Sequence, residues 1–322
     1  MAARYRDSLP QIDGDLFLTD GGVETTLIFH RGIDLLEFAA FTLLDDPEGI
    51  EELRRYFRPY LRLASEYGAG FVLESPTWRA SQVWGERLGR DAAELERLNR
   101  RAIGLMEELR SEAEEDPGID VSPIVISGCI GPHDDGYSPS EVLSAEAAAD
   151  YHSMQISTFA DTAADMVTAL TMTYLDEALG IARAAGASGM PVAISFTVET
   201  DGRLPSGQGL GEAIEAADAD PASEIAYFGI NCAHPSHFDS VLAGAGPWSE
   251  RIRGLRANAS TLSHAELDEA TELDAGDPGD LGARYAALRG QLPRLNLLGG
   301  CCGTDERHLE AIAGAWTAGA GE

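Results

Sequence analysis

Eight short apolar runs alternate with segments of helical periodicity along the whole chain. The runs cover residues 16–19, 71–74, 124–127, 166–170, 192–196, 226–231, 252–257 and 295–299. Short, uniformly apolar runs are typical of parallel strands that are buried on both faces. Because each run is followed by helical sequence, the pattern predicts a closed (β/α)8 barrel, the TIM barrel, rather than an open sheet. No linker-like change of composition interrupts the pattern, so we expect one domain over residues 1–322.

Signals for helix boundaries lie between these runs. Asp46 followed by Pro47 predicts a helix start, and Gly68 predicts the end of that helix. Residues 138–141 and 263–266 have the spacing of a capping box, and Thr304 is predicted to cap the last helix. In a barrel of this kind the active site lies at the C-terminal ends of the strands. The residues that follow the runs are therefore the candidates for chemistry.

The charged residues exclude several classes of function. The chain has 23 basic and 54 acidic residues, a net charge of −31, and every basic residue is an arginine. A field of this sign repels phosphate backbones and anionic lipids, so we expect small-molecule partners and neither nucleic acid nor membrane. Because lysine is absent, Schiff-base and pyridoxal-phosphate chemistry are excluded.

The apolar segments and the cysteines indicate where in the cell the protein is expected. No apolar run approaches the ~20 residues needed to cross a bilayer, and residues 1–9 lack the apolar part of a secretory signal. Four cysteines are too few for a disulfide framework in a chain of this length. We therefore expect a cytoplasmic protein.

Three of the four cysteines follow predicted strands. Cys232 ends the sequence GINC after the sixth run, and Cys301 and Cys302 lie in GGCCGT after the eighth. Adjacent cysteines form a poor disulfide, and the glycines around them let the backbone fold closely around a bound atom. In a barrel the three sulfurs would converge on one face, and three thiolates with an open fourth position describe a catalytic zinc site. Cys129 is expected to pack as a small apolar residue.

The same segments resemble a known family. LTDGGVETTL near the start, GINC in the middle, SFTVETDGRLPSG at 195–207 and LNLLGGCCGTDERHLEAI near the end are similar to the homocysteine S-methyltransferase family. The resemblance spans nearly the whole chain. It implies a barrel domain, a zinc ion held by Cys232, Cys301 and Cys302, and methyl transfer to an acceptor bound to the zinc.

The resemblance also implies an acceptor pocket. Asp20, Gly21 and Gly22 would form part of it, with backbone N–H groups facing a carboxylate, and Thr197 after the fifth run is a further candidate for substrate binding. Zinc can turn a bound thiol into a nucleophile near neutral pH, or polarise a bound carbonyl and acidify the adjacent C–H. Either route gives a nucleophile that accepts a methyl group from a sulfonium or ammonium donor.

Two residues depart from the pattern of the family. Leu170 stands where the family has a glutamate that pairs with the ammonium group of the acceptor, and a leucine cannot neutralise that charge. Arg79 stands where relatives have a neutral polar or aromatic residue, and it can hold a carboxylate or form a surface ion pair. Both changes favour the branch that methylates the β-carbon of 2-oxo acids with S-adenosylmethionine. Leu170, Met172 and Trp78 favour an apolar acceptor such as 4-methyl-2-oxovalerate.

Methylation at carbon needs a base for the C3 proton. His234 and His237, which follow Cys232, and Tyr174 are the candidates. No GxGxxG fingerprint locates the donor, and the glycine-rich segment 207–211 is interpreted as a flexible cover of the barrel mouth. Two alternatives stay open. One is S-methylation of homocysteine by S-methylmethionine or S-adenosylmethionine, with Asp20 facing the ammonium; the other is a non-catalytic zinc-binding or redox-sensing protein.

Overall fold

Eight parallel strands close into a barrel in the computed structural model, which describes residues 2–319. The strands are β1 (Phe17–Leu18), β2 (Gly70–Glu74), β3 (Ile124–Ile130), β4 (Met166–Met172), β5 (Val192–Phe196), β6 (Ile225–Asn231), β7 (Ile252–Ala257) and β8 (Leu297–Gly300). Each strand pairs with the next, and β8 pairs with β1, which completes the ring. The predicted (β/α)8 barrel is confirmed, with its strands where the apolar runs are.

Helices connect the strands around the outside of the barrel. They are α1 (Val23–Thr25), α2 (Pro47–Glu66), α3 (Gln82–Arg87), α4 (Ala92–Glu115), α5 (Ala145–Ala160), α6 (Leu175–Ala187), α7 (Leu210–Asp218), α8 (Asp239–Leu242), α9 (His264–Asp268), α10 (Pro278–Leu288) and α11 (Glu306–Ala318). Tighter turns occupy Pro10–Ile12, Leu36–Phe38, Ala40–Asp45, Pro235–His237 and Pro247–Arg251, and Thr26–His30 forms a π-helical turn. Among residues 2–319, no helix has both the length and the apolar composition needed to cross a membrane.

Several predicted helix boundaries agree with the structure. The Asp46 carboxylate accepts hydrogen bonds from two backbone N–H groups at the start of α2. Gly68 follows that helix with φ of +59°, a conformation that suits glycine. Ser263 and Glu266 form a complete capping box at α9. These helix boundaries are set by local hydrogen bonds of side chains, which is why they can be predicted from the sequence.

Two predicted caps were wrong. Residues 138–141 form no helix, because the backbone N–H and the hydroxyl of Ser140 both donate to the Asp134 carboxylate. The last helix is capped by Asp305 rather than Thr304, whose hydroxyl donates to the carbonyl of Cys301 instead. In both cases a side chain or N–H group from the predicted cap is hydrogen-bonded to another acceptor instead.

Apolar side chains fill the N-terminal half of the barrel interior. This inner core consists of Leu9, Phe17, Val72, Val125, Met166, Ala193, Tyr227 and Leu297. The segment before β1 closes the same end, where the fully buried Gln11 lies 3.0 Å from the sulfur of Met166. A second, larger core lies between the sheet and the helices. Because one end is filled, the barrel can bind a ligand only at the C-terminal ends of its strands.

Candidate active site

Cys232, Cys301 and Cys302 lie together at the C-terminal ends of β6 and β8. Their three sulfur atoms are all within 4.8 Å of one another, and the Sγ atoms of Cys232 and Cys302 are 3.5 Å apart. Cys232 is buried and the other two are half-buried. The structure therefore brings together the three sulfurs that the sequence analysis expected to converge.

Asn258, just after β7, links the two segments that carry these cysteines. Its side-chain N–H donates to the carbonyl of Cys232 at 3.0 Å, and its side-chain oxygen accepts from the backbone N–H of Cys302 at 3.1 Å. Cys232 has φ of +57°, which is uncommon for a residue other than glycine. His264 stands 2.7 Å from the same carbonyl. Contacts to the backbone thus hold Cys232 in a conformation that directs its sulfur toward the other two.

Tyr137 reaches the cluster from the loop after β3. Its hydroxyl lies 3.0 Å from the Sγ of Cys232 and 3.4 Å from that of Cys302, and its ring stacks on His264 at 4.1 Å. Sequence reasoning missed this residue. Tyr137 belongs to no strand or recognisable motif, and its position at the barrel mouth depends on the path of the loop.

Mutual hydrogen bonds set the ionisation of the three thiols. Hydrogen bonds from Cys232 and Cys301 hold the pKa of Cys302 well below that of an ordinary thiol. Hydrogen bonding to the other two sulfurs, together with burial, raises the pKa of Cys232 well above it. The cluster therefore favours one thiolate by itself, and a bound cation would favour ionisation of all three. Sulfur donors at these mutual distances fit a zinc ion.

A cavity of about 340 Å³ opens beside the cluster. Of the predicted site residues, those that line it are Asp20, Gly21, Gly22, Trp78, Arg79, Leu170 and the three cysteines. The remaining wall includes Phe29 and Phe38 after β1 and parts of the 260–274 segment after β7. Most of the predicted substrate-binding residues thus share one cavity with the predicted metal ligands. The segment 207–211 does not line the cavity, so it is not the cover that the sequence suggested.

Thr197 and Tyr174 lie away from this cavity. Thr197 is fully buried, and its hydroxyl donates to the carbonyl of Cys232 at 3.4 Å. The hydroxyl of Tyr174 accepts from the backbone N–H of Leu143, and burial raises its pKa above that of an ordinary tyrosine. Thr197 supports the backbone beneath the cluster, and Tyr174 is placed for neither acceptor binding nor proton transfer.

His234 and His237 are also outside the cavity wall. His234 precedes the turn Pro235–His237, and neither histidine lines the cavity. Nδ1 of His234 pairs with the hydroxyl of Ser236 at 2.7 Å, and Nε2 of His237 lies 2.9 Å from the carbonyl of Thr261. Burial lowers the pKa of His234 to about 4. The structure gives no geometric support to a base role for either histidine, although both follow Cys232 closely in sequence.

Leu170 makes one part of the cavity wall apolar. Its carbonyl accepts a hydrogen bond from the indole of Trp78 at 3.3 Å. The next residue, Thr171, has φ of +66°, and the amide side chain of Asn231 holds it through two hydrogen bonds of 2.8 Å. This anchored turn fixes the side chain of Leu170 at the edge of the cavity.

Arg79 is a cation on the cavity wall. Its guanidinium lies 3.8 Å from the ring centroid of Trp84, donates to the carbonyl of Glu37 and stands 4.0 Å from the carboxylate of Asp135. Its Nε is buried and has no hydrogen-bond partner among the described residues. The side chain is therefore held by an aromatic ring and places a positive charge on the cavity wall.

A buried ion pair that sequence reasoning missed lies at the base of the cavity. Arg256 donates to the carboxylate of Asp20 and to the hydroxyl of Thr19, both at 2.9 Å. The hydroxyl of Tyr56 donates to the other oxygen of Asp20 at 2.8 Å. Both oxygens of Asp20 are thus engaged within the protein, so Asp20 is poorly placed to face an ammonium group. In the sequence, this ion pair is indicated only by Arg256, a charged residue inside an apolar run.

Among the other carboxyl groups that line the cavity are those of Glu24 and Glu74. Burial raises the pKa of each to about 7. Glu74 ends β2, where it is again a charged residue within an apolar run. A carboxyl group with a pKa near 7 can both accept and release a proton at neutral pH, which is the property of a general base or acid.

Comparisons with known proteins agree with this architecture. The family model described as homocysteine S-methyltransferase matches residues 17–316. Homocysteine S-methyltransferase YbgG of Bacillus subtilis is 26% identical over 94% of this chain and 94% of its own length. Methionine synthase of Mycobacterium tuberculosis is 32% identical over 42% of the chain, and the matched part spans 11% of that much longer protein.

Solved structures show the same fold. The oxidized form of the homocysteine methyltransferase MmuM from Escherichia coli has a TM-score of 0.72 at 19% identity, covering 95% of this chain and 99% of that one. Its metallated form has a TM-score of 0.67 at 18% identity, covering 94% and 96%. Since the family model covers nearly the whole barrel, the chain belongs to the homocysteine S-methyltransferase family of methyltransferases.

Proposed function

We propose that this protein is a zinc-dependent enzyme that transfers a methyl group from S-adenosylmethionine to the β-carbon (C3) of a 2-oxo acid such as 4-methyl-2-oxovalerate. The observation that carries the proposal is a cluster of three thiols beside a cavity whose wall is apolar at Leu170. Membership of the family accounts for methyl transfer; the metal, the acceptor and the donor are our proposal.

The donor atoms support zinc as the metal. Cys232, Cys301 and Cys302 would hold the ion and leave a fourth position for the acceptor, as in catalytic rather than structural zinc sites. Zinc bound there would supply Lewis acidity, which polarises a carbonyl and acidifies the C–H next to it.

The cavity side chains support a 2-oxo acid. Arg79 places a guanidinium on the cavity wall, where it can bind the carboxylate of the acceptor. Leu170 and Trp78 offer apolar surface to its side chain. An amino acid would bring an ammonium group against Leu170, and leaving that charge unpaired costs several kcal/mol. An acid without the amine avoids this cost.

The charge of the cavity supports a sulfonium donor. Acidic residues outnumber basic ones along its wall: Glu24, Glu74, Asp135, Asp268, Glu272 and Asp274 join the paired Asp20. Such a surface attracts a cation, and S-adenosylmethionine carries its positive charge on the sulfur that bears the methyl group. S-methylmethionine carries the same charge, so the donor has to be decided by experiment.

Methylation of homocysteine is the second candidate. It is favoured by relatives named homocysteine S-methyltransferase. Because residue 170 is a leucine, another carboxyl group of the cavity, such as that of Glu24, would have to pair with the ammonium group of homocysteine. A non-catalytic zinc-binding or redox-sensing protein is a third reading. The acceptor-sized cavity beside the sulfurs argues against it.

A competition assay separates these functions. Zinc-loaded protein is given S-adenosylmethionine with equal amounts of homocysteine and 4-methyl-2-oxovalerate, and products are measured by mass spectrometry. We expect a 2-oxo acid heavier by one CH₂. Methionine as the main product would establish the second candidate, and turnover of neither acceptor with full zinc occupancy would favour the third.

The role of Leu170 gives a second test. Leu170→Glu is expected to lower kcat/KM for the 2-oxo acid at least about tenfold, because a carboxylate at that place repels the anionic acceptor. Leu170→Met is the matched control, since it keeps the volume and adds no charge, and it should stay within a few-fold of the wild type. Equal kinetics for the glutamate and methionine variants would remove Leu170 as a determinant of the acceptor.

A further inference from the structure

Glu74 is a buried carboxyl group on the wall of the cavity. It ends β2 two residues after Val72, and successive side chains of a strand point to opposite faces, so both face the barrel interior. Val72 belongs to the apolar inner core, whereas Glu74 lines the cavity one layer above it. The residue is 6% exposed. Glu74 therefore stands on the floor of the cavity, facing whatever is bound there.

The hydrogen bonding of the Glu74 carboxyl group is incomplete among the described residues. The hydroxyls of Ser127 and Thr168, which pair with each other, act through hydrogen bonding to lower its pKa. Its Oε2 is buried and has no hydrogen-bond partner among the described residues. Buried polar atoms are nearly always paired, so incomplete hydrogen bonding of a carboxyl group that lines the cavity indicates a group that acts on a ligand.

The surroundings keep this carboxyl group able to exchange a proton. Burial raises its pKa to about 7, while the nearby guanidinium of Arg256 from β7 opposes the rise and the carboxylate of Asp20 from the end of β1 adds to it. From β3, Cys129 has a pKa well above that of an ordinary thiol, so it stays neutral in this range. Arg256 stays charged throughout. Glu74 is thus the member of this group that titrates near neutral pH.

Other candidates for a base are less suited. Asp20 uses both oxygens within the protein, and Asp135 is half-exposed and accepts from the backbone N–H groups of Tyr137 and Ser138. The carboxyl group of Glu24 belongs to a half-buried residue at the cavity wall. Glu74 combines burial, an unpaired oxygen and a position on the floor.

We infer that Glu74 is the general base that removes the C3 proton of the acceptor, an inference that rests on the proposed methylation of a 2-oxo acid. The electrons of the C3–H bond form the C2=C3 double bond of the enolate while the π electrons of C2=O move onto the carbonyl oxygen, and the proton passes to the Glu74 carboxylate. The C2=O bond then re-forms as the C2=C3 electrons attack the methyl carbon of the sulfonium; the C–S bond breaks and its electrons stay on the sulfur of the thioether product. Glu74 returns its proton to solvent after product release.

Proton exchange without a methyl donor tests this step directly. Zinc-loaded protein is incubated with 4-methyl-2-oxovalerate in D₂O, and loss of the C3 proton signal is followed by NMR, with the protein-free rate subtracted. We expect wild-type exchange to rise as the pH passes through about 7, because the carboxylate is the reactive form. Glu74→Gln is expected to slow exchange by about 10²- to 10⁴-fold, to lose that rise and to keep its zinc. Glu74→Asp should restore part of the rate.

Matched measurements separate the possible failures. Glu24→Gln changes the other carboxyl group with a raised pKa, and it should slow exchange far less than Glu74→Gln. Wild-type exchange in Glu74→Gln at full zinc content, or loss of exchange in Glu24→Gln alone, would overturn the assignment and leave the proposed function standing. If the wild type neither exchanges nor methylates the 2-oxo acid, the proposed function fails and the role of Glu74 fails with it.

Discussion

Replacing Cys302 by serine is expected to remove bound zinc and to abolish methyl transfer. The three sulfurs lie within 4.8 Å of one another, and Cys302 is the thiol that the cluster most strongly favours as thiolate. A serine hydroxyl does not ionise near neutral pH, and two remaining thiolates form an incomplete catalytic site. Zinc per chain, measured by mass spectrometry of the metal after desalting, should fall from one to near zero.

Cys129→Ser supplies the control for this experiment. Cys129 is also buried and also lines the cavity, but its sulfur is not part of the three-sulfur cluster. The control variant should therefore keep its zinc. Stoichiometric zinc in Cys302→Ser, or equal loss of zinc in both variants, would contradict the assignment of the ligands.

Replacing Arg256 by methionine is expected to lower the free energy of unfolding by about 3 kcal/mol or more. The change leaves the carboxylate of Asp20, which is 3% exposed, without its cationic partner. It also removes a donor to Thr19 and another to the backbone carbonyl of Gly21, so β7 loses its side-chain link to the end of β1. Urea denaturation followed by tryptophan fluorescence measures the effect.

The double variant Arg256→Met with Asp20→Asn separates charge from packing. Because asparagine carries no charge, the double variant should regain more than half of the lost stability if the unpaired carboxylate is the cause. A double variant as unstable as Arg256→Met would show that the loss comes from packing and from the lost backbone contacts. A loss below about 0.5 kcal/mol in Arg256→Met would show that the pair contributes little.

The barrel was predictable because its signal is repeated and local. Parallel strands covered on both faces need continuous apolar sequence, so each strand is visible as a short apolar run. Once eight strands alternate with helices, the topology itself brings all their C-terminal ends to one face. For that reason Cys232 and the pair Cys301–Cys302, about 70 residues apart, could be expected to meet.

Nearness in sequence was a poor guide to the rest of the site. His234 is two residues from Cys232 but does not line the cavity, and its Nδ1 pairs with the hydroxyl of Ser236 instead. Tyr137 is far from the cysteines in sequence and yet touches two of their sulfurs. The direction of a side chain in a loop depends on the path of the backbone, which no local pattern encodes.

The fold, the three converging thiols and the apolar residue at 170 could be predicted, since each follows from local composition and from the regular geometry of the barrel. The pairing of the charged groups could not be predicted in this way. In the folded chain Asp20 pairs with Arg256, one oxygen of Glu74 has no partner among residues 2–319, and neither histidine lines the cavity. The physical reason is that pairing and burial depend on distances between side chains from different strands, and those distances exist only after the barrel has closed.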